Sequence, residues 1–309
     1  MPLFRAIFLT VICLWVTGCS KIPQTRPNLV GHLHGLWVRN DSLIWVVGDE
    51  GAILHSTDGG QTWQRQVSGT TVPLQLIYGS GPDLWTDGPR GAILHSTNDG
   101  QTWKQQRSGT ASTLYTLCGT ASHLYAVGTA GTILYSSDGG KNWQQQKSGT
   151  TNTLFSVCCS GPNAWAVGDK GTVLHSADWG QNWKPQTSGT SESLRVICGN
   201  GVHLWAAGYG GIILDSSDGG EHWHQQTSGT NKTLTSFYAS GKDLWAVGVG
   251  GTALHTADEG EHWELHDTGT GRNLEEVRGS GTHLWVVGYS DTLRHSTDGG
   301  RSWQPQNTR

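Results

Sequence analysis

A tryptophan that returns every 40 residues limits what this chain can fold into more than any other feature of its sequence. The series has no insertion or deletion between its members, which are Trp63, Trp103, Trp143, Trp183, Trp223, Trp263 and Trp303. A second series keeps the same register, namely Trp45, Trp85, Tyr125, Trp165, Trp205, Trp245 and Trp285. A fixed period of about 20 to 50 residues indicates a solenoid, a propeller or another repeat architecture.

Each 40-residue unit contains four short segments with the composition of β-strands. In the third unit they are residues 114–119, 123–128, 131–136 and 142–147, which we name strands A, B, C and D. They are rich in β-branched or aromatic residues and are bounded by Gly, Ser, Asn or Asp. Four strands in about 40 to 50 residues are typical of a propeller blade. The sequence therefore predicts an all-β fold, a seven-bladed β-propeller formed by residues 30–309 and closed by packing between the first and last blades.

Residues 1–19 have the pattern of a bacterial lipoprotein signal peptide. One positive charge, Arg5, precedes an apolar segment at 6–15, which is shorter than the about 20 residues that a membrane-spanning helix needs. The segment ends in the sequence VTGC at 16–19, which resembles a lipobox with an acylated cysteine. We expect a lipid on Cys19, a linker at 20–29, and a propeller anchored to a bacterial membrane, on the outer-membrane/periplasmic side or at the cell surface. An ordinary signal peptide with an incidental cysteine is the alternative.

A second motif separates strands C and D in every unit. In the first unit it reads STDGGQTW at 56–63. The Asp side chain can accept backbone N–H bonds across the turn, and the glycines can adopt positive φ, so we predict a structural hairpin. One carboxylate for each turn is too few oxygen ligands for Ca²⁺. The predicted structural residues are Asp58, Asn98, Asp138, Asp178, Asp218, Asp258 and Asp298.

The pattern S-x-D-x-G-x-x-W resembles the Asp-box, or BNR repeat, of sialidases, sortilin-type receptors and related propellers. With seven boxes, strands of the LWAVG type and a lipoprotein-like leader, residues 30–309 most resemble bacterial relatives of the photosystem II stability/assembly factor family. That resemblance implies a non-catalytic scaffold for a protein or peptide partner, such as part of a membrane complex. Members of the family hold their partner with an arginine-rich patch, whereas the arginines of this propeller are scattered over four blades.

The charge balance and the acidic residues argue against two classes of function. A net charge of −4 gives no electrostatic reason to bind nucleic acid. Sialidases need an arginine triad and a Tyr–Glu pair that find no match here, and the adjacent Glu275 and Glu276 would point to opposite faces of a strand. We therefore expect no catalytic residue. A carbohydrate-binding module or a degenerate sialidase-like glycosidase is the alternative, and it would require several exposed aromatic faces around one cleft.

Histidines and cysteines that recur at repeat positions are interpreted as structural. His55, His95, His175, His255 and His295 share a position on strand C, where neighbouring blades lie too far apart to share an ion. We therefore expect no metal and no cofactor. Three cysteines share a position on the innermost strands, next to a fourth; they are Cys118, Cys158, Cys198 and Cys159. Buried thiols are the favoured interpretation, and a disulfide between neighbouring inner strands is the alternative.

Residues that break the repeat on one face form the candidate binding surface. Consensus positions are occupied by packing and turn chemistry, so function is expected where the repeat varies. We expect the D–A and B–C loops on one face, and the A–B loops and Asp-box turns on the other. On the first face a monomer would bind its protein or peptide partner through Asp49, Glu50, Arg90, Arg195, Tyr209, Arg272, Glu275 and Tyr289. Asp87 replaces a Val or Ala within a strand, and an ion pair with Arg90 is one hypothesis for it.

Overall fold

Seven four-stranded antiparallel sheets make up the described part of the chain, and each sheet pairs its strands in chain order from A to D. The computed structural model describes residues 31–307. Strand A of each blade packs against strand A of the next, and strand A of blade seven packs against strand A of blade one. The seven-bladed propeller predicted from the repeat is therefore confirmed. The predicted signal peptide, Cys19 and the linker lie outside the described residues.

The strands of the seven blades have the following bounds. Blades one and two contain β1 (Leu33–Val38), β2 (Ile44–Gly48), β3 (Ile53–Ser56), β4 (Gln64–Gln66), β5 (Ile77–Ser80), β6 (Asp83–Asp87), β7 (Ile93–Ser96) and β8 (Lys104–Gln105). Blades three and four contain β9 (Leu114–Gly119), β10 (Leu124–Gly128), β11 (Ile133–Ser136), β12 (Gln144–Gln146), β13 (Leu154–Ser160), β14 (Asn163–Gly168), β15 (Val173–Ser176) and β16 (Lys184–Gln186). Blades five to seven contain β17 (Leu194–Gly199), β18 (Leu204–Gly208), β19 (Ile213–Ser216), β20 (His224–Gln226), β21 (Leu234–Ser240), β22 (Asp243–Gly248), β23 (Ala253–Thr256), β24 (Glu264–Leu265), β25 (Leu274–Ser280), β26 (His283–Gly288), β27 (Thr292–Ser296) and β28 (Gln304–Pro305).

Single 3₁₀ turns connect strands B and C in the first six blades. Their bounds are Asp49–Gly51, Pro89–Gly91, Thr129–Gly131, Asp169–Gly171, Tyr209–Gly211 and Val249–Gly251. The middle residue has positive φ, 55° at Glu50 and 57° at Arg90, a conformation that favours glycine. Two of the predicted binding residues thus occupy the position that blades five and six fill with Gly210 and Gly250. In the described part of the chain, no helix is long and apolar enough to cross a membrane.

Strand A of blade one lies one residue earlier than the tryptophan register implies. Leu33 pairs with Gly48 as Leu114 pairs with Gly128, so these leucines are equivalent although 81 residues separate them. The additional residue lies in the A–B loop, which spans residues 39–43 in blade one and 120–123 in blade three. Every strand A residue of blade one is therefore equivalent to the one that stands 41 residues later in blade two.

The Asp-box turns are self-contained hairpins, as predicted. The Ser56 hydroxyl accepts the Gly60 N–H at 2.8 Å and donates to Asp58 Oδ1, which also accepts the Thr62 N–H at 2.9 Å. In blade six Thr256 takes the place of the serine and still accepts the Gly260 N–H at 3.1 Å. A Cβ at Gly60 would lie 2.1 Å from the Trp285 ring, so the turn also needs glycine to let blade seven pack against blade one.

The core lies between blades and is built around the aromatic series of strand B. Trp45, Trp85, Tyr125 and Trp285 are fully buried, and each packs into the space between two sheets. The strand C histidines stack on these rings, with centroids 4.3 Å apart for His55 on Trp45. Burial lowers the pKa of His295 to about 4, so this histidine is neutral inside its stack at physiological pH.

Candidate functional site

A β-bulge in strand A of six blades places one variable side chain of each at the central channel. The register with strand B slips by one residue in six of the blades, and the bulged residue lies just after the buried leucine that starts the strand. Bulges re-aim side chains, often beside functional sites. With Gln75 of blade two, the bulged residues form a ring around a cavity of ≈ 620 Å³, which we call the bulge ring; its members are His34, Gln75, Tyr115, Phe155, Arg195, Thr235 and Glu275.

One side of the bulge ring is an aromatic wall with a guanidinium laid on it. The rings of Tyr115 and Phe155 are 5.5 Å apart, and the Arg195 guanidinium carbon is 4.3 Å from the centroid of Phe155. This cation–π contact fixes the arginine against the wall of the cavity. Between residues 31 and 307 Arg195 forms no ion pair, so its N–H donors can serve a carboxylate that enters the cavity.

The opposite side of the bulge ring is an acidic and histidine-rich cluster. His34 Nε2 lies 2.9 Å from Asp49 Oδ1, while the other oxygen of Asp49 accepts the His32 N–H at 2.9 Å. Burial alone would raise the pKa of Asp49, but these two hydrogen bonds bring it below its ordinary value. The His32 ring stacks on Tyr289 with centroids 4.2 Å apart. An acid and two imidazoles therefore lie together on this side of the ring, and His34 is the member that lines the cavity.

Glu275 connects the two sides of the ring. Burial raises its pKa above the ordinary value, while the charges of His34 and Arg195 oppose that shift. The negative charge of Glu275 is in turn the main cause that raises the pKa of the Tyr289 phenol. Acidic and basic groups thus face the same half-buried space, an arrangement that suits a ligand carrying both a donor and an acceptor group.

A deeper layer of strand A residues ties neighbouring blades together. The hydroxyls of Ser156 and Ser236 accept the N–H groups of Ile197 and Val277 in the next blade, at 3.2 and 3.3 Å. Glu276 occupies the same position in blade seven, and its Oε2 accepts the Leu36 N–H of blade one at 2.6 Å. The other oxygen of Glu276 pairs with Arg278, and burial raises the pKa of Glu276 to about 7. Glu276 is therefore a structural residue of the ring closure, unlike Glu275 beside it.

Of the eight predicted binding residues, Arg195 and Glu275 line the cavity, Asp49 and Tyr289 lie close to them, and the other four lie elsewhere. Asp49, Arg195, Glu275 and Tyr289 influence one another electrostatically. Glu50 and Tyr209 lie in separate shallow grooves beside the D–A loops of their blades. Arg272 donates to the Ser290 carbonyl at 2.6 Å, and neither it nor Arg90 lines the cavity. The candidate site is thus narrower and deeper than the loop face that the sequence indicated.

Two histidines and two aromatic residues of the site escaped the sequence-based prediction. His32 and His34 precede Trp45, the first member of the strand B series, and fall out of register because of the additional loop residue of blade one. Tyr115 and Phe155 occupy a position where every blade differs, and that variability was the signal that could have identified them.

The expectation of an ion pair between Asp87 and Arg90 is wrong. Asp87 is fully buried on β6, whereas Arg90 is exposed in the following turn. Burial raises the pKa of Asp87 to about 8, with the Leu76 N–H opposing the shift. Among the described residues neither carboxyl oxygen makes a hydrogen bond of good geometry. Asp87 is therefore protonated at neutral pH and belongs to the core.

The strand C histidines make hydrogen bonds within their own sheets. His95 and His175 hydrogen-bond to the side chains of Asp83 and Asn163, each 12 residues earlier, at 2.8 and 3.0 Å. Stacking on the strand B aromatic ring and this second contact hold the imidazole in place. Over residues 31–307 no group of three or more His, Cys, Asp or Glu side chains is placed to hold a metal ion.

Comparison with known proteins agrees with the repeat and the fold. Residues 109–190 match the model of the photosynthesis system II assembly factor YCF48, and residues 54–65 match the BNR/Asp-box repeat. No curated protein sequence matches the chain.

Solved structures with similar folds include two of YCF48 and one of a glycoside hydrolase. YCF48 from Cyanidioschyzon merolae is 19% identical with a TM-score of 0.72, over 88% of this chain and 97% of that one. YCF48 bound to D1 peptide is 20% identical with a TM-score of 0.72, over 86% and 92%. The GH74 xyloglucanase from Xanthomonas campestris is 13% identical with a TM-score of 0.70, over 90% and 55%. The repeat, the blades and these similarities together show a seven-bladed propeller with Asp-box (BNR) repeats, in which residues 109–190 are similar to the photosystem II assembly factor YCF48.

Proposed function

We propose that this propeller is a non-catalytic scaffold that binds an extended peptide segment of a partner protein at the mouth of its central channel. The main support for this proposal is the bulge ring, because all seven blades present a non-consensus side chain to one cavity. An aromatic wall with Arg195 faces Glu275 across this cavity. A peptide can therefore stack on the wall, pair a carboxylate with Arg195 and pair an amine with Glu275 within one site. The structure of YCF48 bound to D1 peptide supports a peptide ligand for a related fold.

Site-specific photo-crosslinking in cells tests the site and identifies the partner together. A benzoylphenylalanine in place of Tyr115 would sit in the bulge ring, while one in place of Val67, which is 86% exposed, would sit on a peripheral loop. We expect the Tyr115 probe to capture one membrane-associated polypeptide and the Val67 probe to capture none. Adding Arg195→Ala should reduce the adduct at least tenfold, because the guanidinium is the fixed donor of the wall.

A matched substitution separates loss of binding from loss of fold. Arg272→Ala removes an arginine on the same face that does not line the cavity, so the adduct should persist. Equal adduct from both probes, or an adduct that survives Arg195→Ala unchanged, would show that the partner does not use the channel mouth.

We further propose that Cys19 carries the lipid that holds the scaffold at a bacterial membrane. A lipid on Cys19 would place the cavity within reach of membrane proteins, and buried acyl carbons contribute about 0.8 kcal/mol each to anchoring. Radiolabelled palmitate should appear on the chain, and Cys19→Ala should remove the label and release the protein into the soluble fraction. A labelled or membrane-bound Cys19→Ala variant would contradict the anchor.

A carbohydrate ligand is the second candidate because of two observations. Tyr115 and Phe155 offer a tilted aromatic pair inside the cavity, and a xyloglucanase shares the fold. Against it, the aromatic series of strand B is buried in all seven blades, and no tryptophan between residues 31 and 307 is exposed. A glycan array with xyloglucan oligosaccharides decides between the two ligands: binding that Phe155→Ala abolishes and Arg195→Ala preserves would favour the sugar.

A further inference from the structure

Two cysteines of neighbouring blades meet in the wall of the central channel. Cys118 on β9 and Cys159 on β13 bring their Sγ atoms to 3.2 Å from each other. A disulfide bond is about 2.05 Å long, so the two sulfurs need to approach by only about 1 Å. Both thiols are half-buried and line the cavity, so a small reagent can reach them from the channel.

The two thiols are chemically different because one donates to the other. The hydrogen bond from Cys118 lowers the pKa of Cys159 and raises the pKa of Cys118. The thiolate is the nucleophile in disulfide exchange, so Cys159 is the attacking sulfur and Cys118 the resolving one.

Two other cysteines at the same level of the channel provide an internal comparison. Burial raises the pKa of Cys158 well above its ordinary value and that of Cys198 to about 12. Cys158 is adjacent to Cys159 in the chain and shares its strand, so it differs mainly in the direction of its side chain.

We propose that Cys118 and Cys159 are a redox-active pair that closes into a disulfide between blades three and four, with a small organic disulfide as the oxidant. The Cys159 thiolate attacks one sulfur of the oxidant, RSSR, and forms a mixed disulfide. The first RS⁻ leaves and takes up the proton that Cys159 lost. The Cys118 thiolate then attacks the Cys159 sulfur, and the second RS⁻ leaves with the proton from Cys118. One RSSR is reduced to two RSH while two cysteines are oxidised to one cystine.

Differential alkylation of the full chain tests the pair. The protein is equilibrated in mercaptoethanol buffers with a rising share of hydroxyethyl disulfide, quenched in acid, denatured and alkylated with a light label. Reduction and a heavy label follow. Trypsin releases Cys118 between Arg107 and Lys141, and Cys158 with Cys159 between Lys147 and Lys170. We expect Cys118 and Cys159 to take the heavy label with one shared midpoint, while Cys158 and Cys198 keep the light label.

Two serine variants complete the experiment. Cys158→Ser should leave the shared midpoint unchanged, because this thiol is not part of the pair. Cys159→Ser should abolish the cystine and leave Cys118 with the light label. The proposal is overturned if the wild-type Cys118 and Cys159 keep the light label in the most oxidising buffer. It is equally overturned if the heavy label appears on Cys158 with Cys198, a readout of the wild-type chain that needs neither variant to fold.

Discussion

Asp87 shows how far a single residue can depart from its repeat and still belong to the core. Six blades place Val or Ala at this position, and blade two buries a carboxyl group there instead. The pKa of Asp87 is raised to about 8, so the folded chain keeps a proton that the unfolded chain loses at about pH 3.8. The contribution of Asp87 to the free energy of unfolding is therefore greatest below the pKa that it has in the unfolded chain. This contribution declines as the pH rises through the pKa that Asp87 has in the folded chain.

Asp87→Asn should stabilise the protein increasingly as the pH rises. Near pH 4 the variant and the wild type should differ little, and by pH 8 the variant should gain about 3 to 5 kcal/mol, since asparagine has no ionisation to suppress. Urea unfolding at several pH values between 5 and 8 measures the difference. Glu50→Gln, an exposed carboxylate, is the control and should show no such trend. A constant gain for Asp87→Asn across this range would mean that the buried carboxyl does not titrate as described.

The sequence revealed that Asp87 is unusual but not what it does. A break in a repeat is visible in the chain, whereas burial depends on which neighbours surround the side chain. For the same reason the sequence could not distinguish Arg195 from Arg272, both of which it placed on the candidate binding surface. A bulge turns Arg195 onto Phe155, while Arg272 bonds a nearby loop carbonyl.

At the scale of elements, the Asp-box hairpin depends on one hydroxyl more than on its name-giving carboxylate. The hydroxyl of Ser56 is buried and accepts the Gly60 N–H, whereas Asp58 lies at the surface. Removing the hydroxyl leaves a buried N–H without its partner, which costs about 1 to 3 kcal/mol.

Ser56→Ala should therefore lower the free energy of unfolding by about 1 to 3 kcal/mol, as measured by urea denaturation. Ser56→Thr is the matched control, because Thr256 makes the equivalent bond in blade six. The threonine variant should stay within about 1 kcal/mol of the wild type. If both variants lose the same stability, the site is sensitive to shape and the hydroxyl is not the cause.

Elements were predicted best where the repeat is strict. The bounds of β9 agree with the prediction for residues 114–119, and the Asp-box hairpins form as expected. A strict 40-residue period would place strand A of blade one a residue late, because the spacing of tryptophans cannot detect an additional residue in an A–B loop. The bulges were not predicted either, since they follow from packing at the crowded centre of the ring rather than from a residue type.

At the scale of the whole molecule, the ring must close without a strand shared between its ends. Blades one and seven are each complete in chain order, and Pro305 lies on the edge strand β28, where its missing N–H is tolerated. The seam is closed by packing of Trp285 and Val287 with the core of blade one, and by the Glu276 bond to Leu36. Closure by packing was predicted from the repeat. The hydrogen bond between Glu276 and the Leu36 N–H was not predicted, because blades four and six use a serine hydroxyl as the acceptor at this position.

The seam predicts an effect that separates Glu276 from its neighbour. Glu276→Leu removes the acceptor of the Leu36 N–H and the carboxylate that pairs with Arg278, which keeps uncharged hydrogen-bond partners, so it should destabilise the fold by about 3 to 5 kcal/mol. Glu275→Gln should change stability by less than about 1 kcal/mol, because that side chain is half-buried and makes no bond across the seam. The double variant Glu276→Ser with Arg278→Tyr reproduces the residues of blade six and should recover most of the loss. Urea denaturation of all three variants measures the order of their stabilities. A Glu275→Gln variant as unstable as Glu276→Leu would mean that the seam depends on the charge of Glu275 and Glu276 rather than on the hydrogen bond to Leu36.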